Sequence, residues 1–167
     1  MMSIAALILA LVTLQRLAEL VIAKRNTAAL MARGAVEHAP GHYPAIVVMH
    51  GLWLIGLWVL AHDATVSWPL IAVFAILQAG RVWTIASLGA RWTTRIIILP
   101  GAAPIRTGPY RYLTHPNYWI VIGEIAILPL AFGLPLYALG FTVANAILLA
   151  IRIRAENRAL AVADHAA

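Results

Sequence analysis

The sequence contains no cysteine, which excludes disulfides, thiol catalysis and cysteine-ligated metal sites. Charge is also scarce: Asp and Glu together number 6, and charged residues make up 11% of the 167 positions. A soluble domain usually carries about 25% charged residues. A chain this poor in charge lacks the polar side chains to cover a water-facing surface. Internal repeats and low-complexity linkers are missing too, so the chain reads as one domain over residues 1–167, with a three-helix part at 1–88 and the rest at 89–167.

Apolar side chains fill that space. Hydrophobic residues make up 63% of the sequence, and the mean hydropathy is +0.88. A bilayer accepts such a surface directly, because lipid can face apolar side chains without cost. A spanning helix needs roughly 20 mostly apolar residues. Runs at 3–23, 44–61, 68–88, 118–130 and 134–151 fit or approach that length. The first begins like a signal peptide, but no basic residue precedes it and no small-x-small pattern follows before Lys24, so it reads as a retained span. The fourth is short for a full crossing. Pro129, Gly133 and Pro135 mark the break between the last two. The expected fold is therefore all-α, an integral membrane protein of about five transmembrane helices.

Basic residues set the expected orientation. Segments 24–43, 89–117 and the tail after 151 carry 10 of the 12 Lys and Arg residues, and all three fall on one side of a five-span arrangement. This predicts an outside N-terminus and a cytoplasmic C-terminus in the inner membrane. It also accounts for the net charge of +6 without nucleic acid as a partner. Segment 24–43 is polar enough to include a short helix on the membrane surface. Segment 89–117 holds Pro100, Pro104, Pro109 and Pro116, so it cannot be one long helix, and it is long enough to fold over the helix ends.

Ionisable groups inside spans are costly and draw attention first. Arg16 and Glu19 share a helix face and are expected to pair, either structurally or around a substrate head group. Arg81, about two turns from a helix end, is expected to snorkel to the surface. Glu124 has no charged neighbour in sequence; Arg81, Arg16 and Asn145 are its candidate partners, and it reads equally as a structural pair or a catalytic base. His38 and His42 are four apart, but Pro40 between them argues against a helical metal pair, and no metal site is expected. His50, His62 and most of the tryptophans read as packed or interfacial residues.

Two segments are richer. Residues 108–118 read Gly-Pro-Tyr-Arg-Tyr-Leu-Thr-His-Pro-Asn-Tyr, a rigid aromatic turn at the mouth of a span. Residues 152–158 read Arg-Ile-Arg-Ala-Glu-Asn-Arg, with Arg152 and Glu156 on one face of a helix that continues past the membrane. That pair is either an exposed ion pair worth tenths of a kcal/mol or part of a ligand site.

Gly108, Tyr110, His115, Pro116 and Tyr118, with Arg152 and Glu156 on the last helix, resemble the isoprenylcysteine carboxyl methyltransferase family of integral membrane enzymes. The lead-in at 88–95 and Ile105 also resembles that family, and the likeness covers roughly residues 75–162. Thr114 and Asn157 depart from its pattern, which counts more against a prenylcysteine substrate than against the cofactor. The N-terminal motifs at 15–19, 24–26, 34–37 and 42–43 look like the bacterial branch associated with type III polyketide synthases, whose members methylate a hydroxyl of alkylpyrones or alkylresorcinols.

The resemblance implies S-adenosylmethionine as cofactor and a lipophilic small molecule as acceptor, with membrane lipid around both. It implies that Ala102, Ala103, Pro104 and Ile105, Tyr110, and the turn of His115, Pro116, Asn117 and Tyr118 wrap the cofactor, together with Glu156. Arg95 is a further cofactor candidate, and Arg152 would face the acceptor. The reaction would be attack by an oxygen on the methyl group. A carboxylate needs no base, whereas a hydroxyl is helped by Arg152 favouring its anion and by Glu124 or His115 taking the proton. A phospholipid N-methyltransferase, a prenylcysteine carboxyl methyltransferase, a membrane reductase and a non-catalytic scaffold remain as alternatives.

Overall fold

A computed structural model describes residues 2–165, with side chains through 161. Five α-helices dominate: α1 Ile4–Met31, α2 Tyr43–Ala61, α3 Trp68–Leu88, α4 Pro116–Ala131 and α5 Pro135–His165. Proline stands at the start of four of them, at 44, 69, 116 and 135, where its missing N–H goes unneeded and its fixed φ suits the first turn. Ser3 caps α1 by accepting from Ala6 N at 3.0 Å and donates to the His62 carbonyl, tying the start of α1 to the end of α2.

α1, α2, α3 and α5 are long and apolar enough to cross a membrane. The 16 residues of α4 reach about 24 Å, less than the roughly 30 Å hydrocarbon core. The chain is a multi-pass, all-α membrane protein. Many large apolar side chains on these helices, Leu11, Ile55, Val59, Ile76 and Leu139 among them, point outward where acyl chains would meet them.

One expectation for the first half is corrected: α1 does not end near residue 23 but continues to Met31, and the further short helix in this segment, among the described residues, is the single 3₁₀ turn Pro40–His42. Lys24, Arg25 and Asn26 are good or tolerated helix residues, and nothing before Gly34 breaks the helix once it leaves the bilayer. Next comes β1, Val36–His38, which pairs antiparallel with β2, Ile96–Ile98, in the register Val36↔Ile98 and His38↔Ile96. This ribbon binds the polar ends of α1 and α3 together. Asn26 Nδ2 adds a hydrogen bond to the Trp92 carbonyl at 2.8 Å. The segments rich in basic residues thus meet at one end of the bundle, while the turns around 62 and 132 meet at the other, where Ser67 N donates to the Ala131 carbonyl at 2.9 Å.

In lipid, helices gain little from hiding apolar surface and associate by close packing. The interior is built from Leu9, Trp53, Leu57, Phe74, Ile125 and Leu128. α3 and α4 approach closely at Gly123, where an added Cβ would lie 2.8 Å from Leu77 Cδ1. The Trp53 indole donates to the Ile125 carbonyl at 3.3 Å, and Trp58 donates to Thr13 Oγ1 at 3.0 Å, so neither buries an orphan N–H.

Candidate functional site

The segment between α3 and α4 folds back over the polar end of the bundle. Gly108 makes this possible. Its φ is +56°, and a Cβ there would overlap the Ser87 hydroxyl and sit 3.1 Å from the Trp83 indole nitrogen. Gly108→Ala therefore combines left-handed strain with a collision and is expected to cost about 1–3 kcal/mol. Thermal melting in detergent would read this loss, and an unchanged melting temperature would show that the turn is not held as described. Following Gly108, Pro109 is buried, and His115 and Pro116 turn the chain into α4. Arg91 steadies the approach by donating from Nη1 to the Ala103 carbonyl at 2.6 Å.

Beneath this segment lies a cavity of about 530 Å³. Tyr118 forms part of its wall. Its hydroxyl donates to Glu156 Oε2 and accepts from Arg152 Nε at 2.8 Å. Arg152 Nη1 also donates to the Thr94 carbonyl at 2.9 Å, so the guanidinium is fixed from two sides. His115 stacks on Tyr118 with ring centroids 5.1 Å apart. Its Nε2 lies 3.3 Å from Asn157 Oδ1 and its Nδ1 3.8 Å from Glu156 Oε2. Burial, reinforced by the Glu156 charge, pushes the Tyr110 phenol up to about 12. Tyr110 therefore stays protonated at neutral pH and is not poised as a base.

Of the residues singled out from sequence, Arg95, Pro104, Ile105, Tyr110, His115, Asn117, Tyr118, Arg152 and Glu156 line this cavity. Ala102, Ala103 and Pro116 are not among its lining residues; Ala103 acts through its carbonyl and Pro116 as the buried start of α4. Arg95 is partly engaged elsewhere, bound to Glu37 at 3.0 Å and lying over the Tyr43 ring at 4.8 Å. Arg152 and Glu156 make no direct ion pair among the described residues; each binds the Tyr118 hydroxyl instead. Arg91, Trp92, Arg106 and Arg111 also line the cavity and were not read as site residues. The signal of the three arginines in the sequence is positive charge, which the orientation rule absorbs, and Trp92 carries none.

Glu124 lies away from the cavity lining, inside the bundle. Its side chain is 2% exposed and is bound by Arg16 Nη2 at 2.7 Å, Arg81 Nη1 at 3.2 Å and Gln78 Nε2 at 2.7 Å. Arg81 does not snorkel, contrary to expectation. It is buried, and its Nε and Nη2 both donate to Glu19 at 2.6 Å. A carboxylate on α1 and another on α4 give it partners at depth, which removes the reason to reach for water. Arg16 pairs with Glu19 at 3.0 Å as the spacing predicted. Gln15 completes the group, donating to Gln78 Oε1 at 2.7 Å and to Glu19 Oε1 at 3.0 Å. Asn145, the third expected partner of Glu124, instead keeps its Nδ2 buried without a hydrogen bond among the described residues. Two cations and two anions balance, and through Arg81 Nη1 the cluster touches Asn117 Oδ1 at 3.4 Å, on the cavity wall. Gln15 and Gln78 could have been found by asking for polar residues within spans as well as ionisable ones.

The structure is thus a polytopic helical bundle with a ligand-sized cavity roofed by an irregular segment at its polar end. The model of the isoprenylcysteine carboxyl methyltransferase (ICMT) family matches residues 70–162, the stretch that builds this cavity. The chain belongs to that family of membrane methyltransferases. It is 39% identical over 159 residues to the uncharacterized protein YpbQ of Bacillus subtilis, covering 92% of this chain and 95% of that one. An uncharacterized protein of Haemophilus influenzae is 29% identical over 161 residues, covering 87% of this chain and 88% of the relative. No solved structure matches the chain significantly.

Proposed function

We propose that this protein transfers a methyl group from S-adenosylmethionine to an oxygen of a lipophilic acceptor, at the cytoplasmic face of the inner membrane. The observation that carries this reading is the Tyr118 hydroxyl shared between Arg152 and Glu156 on the cavity wall. The cavity, at about 530 Å³, lies within the usual range of roughly 300–1,000 Å³ for small-molecule sites. Its chemistry suits the cofactor part by part. Arg91, Arg106 and Arg111 suit a carboxylate, and Glu156 suits an ammonium or ribose hydroxyl. The stacked His115 and Tyr118 rings suit a cationic sulfur. Pro104, Ile105, Tyr110 and Asn117 would enclose the remainder, with Arg95 at the edge. The cytoplasmic placement follows the segregation of Lys and Arg to this end.

The bound cofactor supplies an electrophilic methyl on a positively charged sulfur. Arg152, held by Tyr118 and Thr94, retains N–H donors that can orient the acceptor oxygen and favour its anion. His115 lines the same cavity and would take the proton from a hydroxyl acceptor, whereas both Glu124 oxygens are occupied by Arg16, Arg81 and Gln78. In this reading Glu124 anchors the helices and the chemistry falls to Arg152 and His115. A cationic amine would be repelled by Arg152, so we favour an oxygen acceptor, and within that class the alkyl-bearing enol or phenol of the polyketide-associated branch.

Calorimetric titration of the detergent-purified protein with S-adenosylhomocysteine tests the cofactor. Micromolar binding is expected, weakened roughly tenfold or more in Tyr118→Ala and Glu156→Ala, each of which removes a charge-assisted hydrogen bond. Well-folded wild-type protein that binds none would reject the reading.

A further inference from the structure

We propose that the roof segment 106–113 docks on anionic phospholipid, with Arg106 and Arg111 taking lipid phosphates and Tyr112 and Leu113 lying in the headgroup layer, so that the leaflet itself closes the outer side of the cavity. The contact follows from the placement and charge of the roof; only the binding readout below rests on the methyltransferase reading.

The roof lies at the height of the membrane interface. Trp83 stands five residues before Leu88, the end of α3, and Trp119 three residues after Pro116, the start of α4. Both side chains are exposed. Outward tryptophans within about two turns of the polar helix ends mark the aromatic belt of a bilayer surface. The Gly108 turn rests on this belt: a Cβ there would lie 3.1 Å from the Trp83 indole nitrogen. The segment is therefore set beside the lipid-facing edge of α3.

Two of its side chains face both ways. Tyr112 and Leu113 line the cavity, yet Tyr112 is 74% exposed and Leu113 46%. A single layer of side chains thus separates the cavity from its surroundings. An isolated exposed leucine needs no explanation. Tyr112 and Leu113, on a segment that rests on Trp83, instead extend the belt, and an apolar ring with a polar tip suits the headgroup level.

The charge of the roof selects the lipid. Arg106 and Arg111 form no ion pair among the described residues, and the Arg111 guanidinium lies 5.8 Å from the centre of the exposed Tyr112 ring. The cofactor brings one carboxylate, fewer anions than Arg91, Arg106 and Arg111 together can bind, and Arg95 already has Glu37. A lipid phosphate at the interface supplies the missing counter-charge, and an anionic lipid brings no cation of its own to compete. A soluble anion would meet the same arginines but leave Tyr112 and Leu113 in water. Because lipid and cavity occupant share this wall, each strengthens the binding of the other.

The first test locates the roof. Native cysteine is absent, so Leu113→Cys carries a single polarity-sensitive dye in nanodiscs. A spin label on the lipid headgroup should quench it strongly, and quench the same dye on Arg33→Cys, past the end of α1, only weakly. Replacing phosphatidylcholine with phosphatidylglycerol should deepen the quenching at position 113, and Arg106→Gln with Arg111→Gln should abolish that increment. The second test reads the coupling. S-Adenosylhomocysteine has no net charge, so surface potential does not concentrate it. Its Kd should nevertheless fall roughly tenfold from phosphatidylcholine to phosphatidylglycerol nanodiscs, the scale of two arginines each meeting an anionic headgroup. In the double variant the difference between lipids should vanish, and comparing lipids cancels any loss that the variant suffers in both. Equal quenching at positions 113 and 33, an increment that survives the double variant, or a wild-type Kd indifferent to lipid overturns the proposal. So does glycerol phosphate in solution acting as phosphatidylglycerol does, which would make this a site for soluble anions. If the wild-type protein binds no S-adenosylhomocysteine in either lipid, the methyltransferase reading fails, while the quenching still decides this one.

Discussion

Replacing Glu124 with alanine is expected to destabilise the protein by about 3–5 kcal/mol, the usual cost of leaving a buried charge without its partner. Arg16 and Arg81 would then share Glu19 alone, and the bundle would hold an uncompensated positive charge at membrane depth. Arg81 is the greater difficulty, because its side chain is 8% exposed against 20% for Arg16. Gln78 would also lose its acceptor. Glu124→Gln should do less damage, since it keeps the volume and a carbonyl for Gln78, yet it still unbalances the cluster. Adding Arg16→Gln to Glu124→Gln restores neutrality and should recover about 1–3 kcal/mol, a coupling that two independent sites would not show. Denaturation of the four proteins in a fixed detergent measures the cycle. Strict additivity would mean that the cluster does not act as a unit.

Arg152→Ala should lower turnover by roughly 10²-fold, the loss typical of misaligning a reactant, with a smaller fraction of the reactive acceptor anion beside it. The assay is transfer of labelled methyl from S-adenosylmethionine to an alkylresorcinol, extracted into organic solvent. Arg152→Lys should recover only part of the loss. A lysine keeps the charge but cannot hold Tyr118 and Thr94 while still facing the acceptor, as the forked guanidinium can. Tyr118→Phe is informative beside it, since it leaves the ring against His115 and removes only the hydroxyl that fixes Arg152 and Glu156. Near-normal turnover in Arg152→Ala would remove the central residue of the mechanism.

Spans were legible because hydropathy is summed over many residues and the bilayer enforces it. α2 and α3 begin and end within one residue of the runs read from sequence. Where α1 ends was not legible, since a helix leaving the membrane needs no further apolar residue, and Lys24 through Met31 continue it on propensity alone. The β1–β2 ribbon was hidden for a different reason. Two three-residue strands separated by 57 intervening residues carry no local period, and their pairing exists only once α1 and α3 stand side by side. The cavity was half legible. Aromatic and proline spacing around 108–118 marked its roof, whereas Trp92 and the Thr94 carbonyl joined it through tertiary folding alone. Arg81 was misjudged because its partners, Glu19 and Glu124, lie 62 and 43 positions away, and sequence offers no measure of depth between helices.

The balanced cluster also constrains how the chain enters the bilayer. α1 brings Arg16 and Glu19 together, so the charges within its apolar run balance on arrival. α3 then enters with Arg81 unpaired within its own helix and α4 with Glu124 likewise, each carrying an insertion penalty of about 2.5–3.5 kcal/mol at the helix centre. α4, the shortest helix, has the least apolar length to offset that penalty. Arg81 can lean on Glu19 as soon as α3 meets α1, and Glu124 finds its cations on those same two helices, Arg16 on α1 and Arg81 on α3. Insertion of α4 is therefore expected to depend on the helices before it, and protease protection of the 132–134 turn should fall in a chain that carries α4 without α1 and α3.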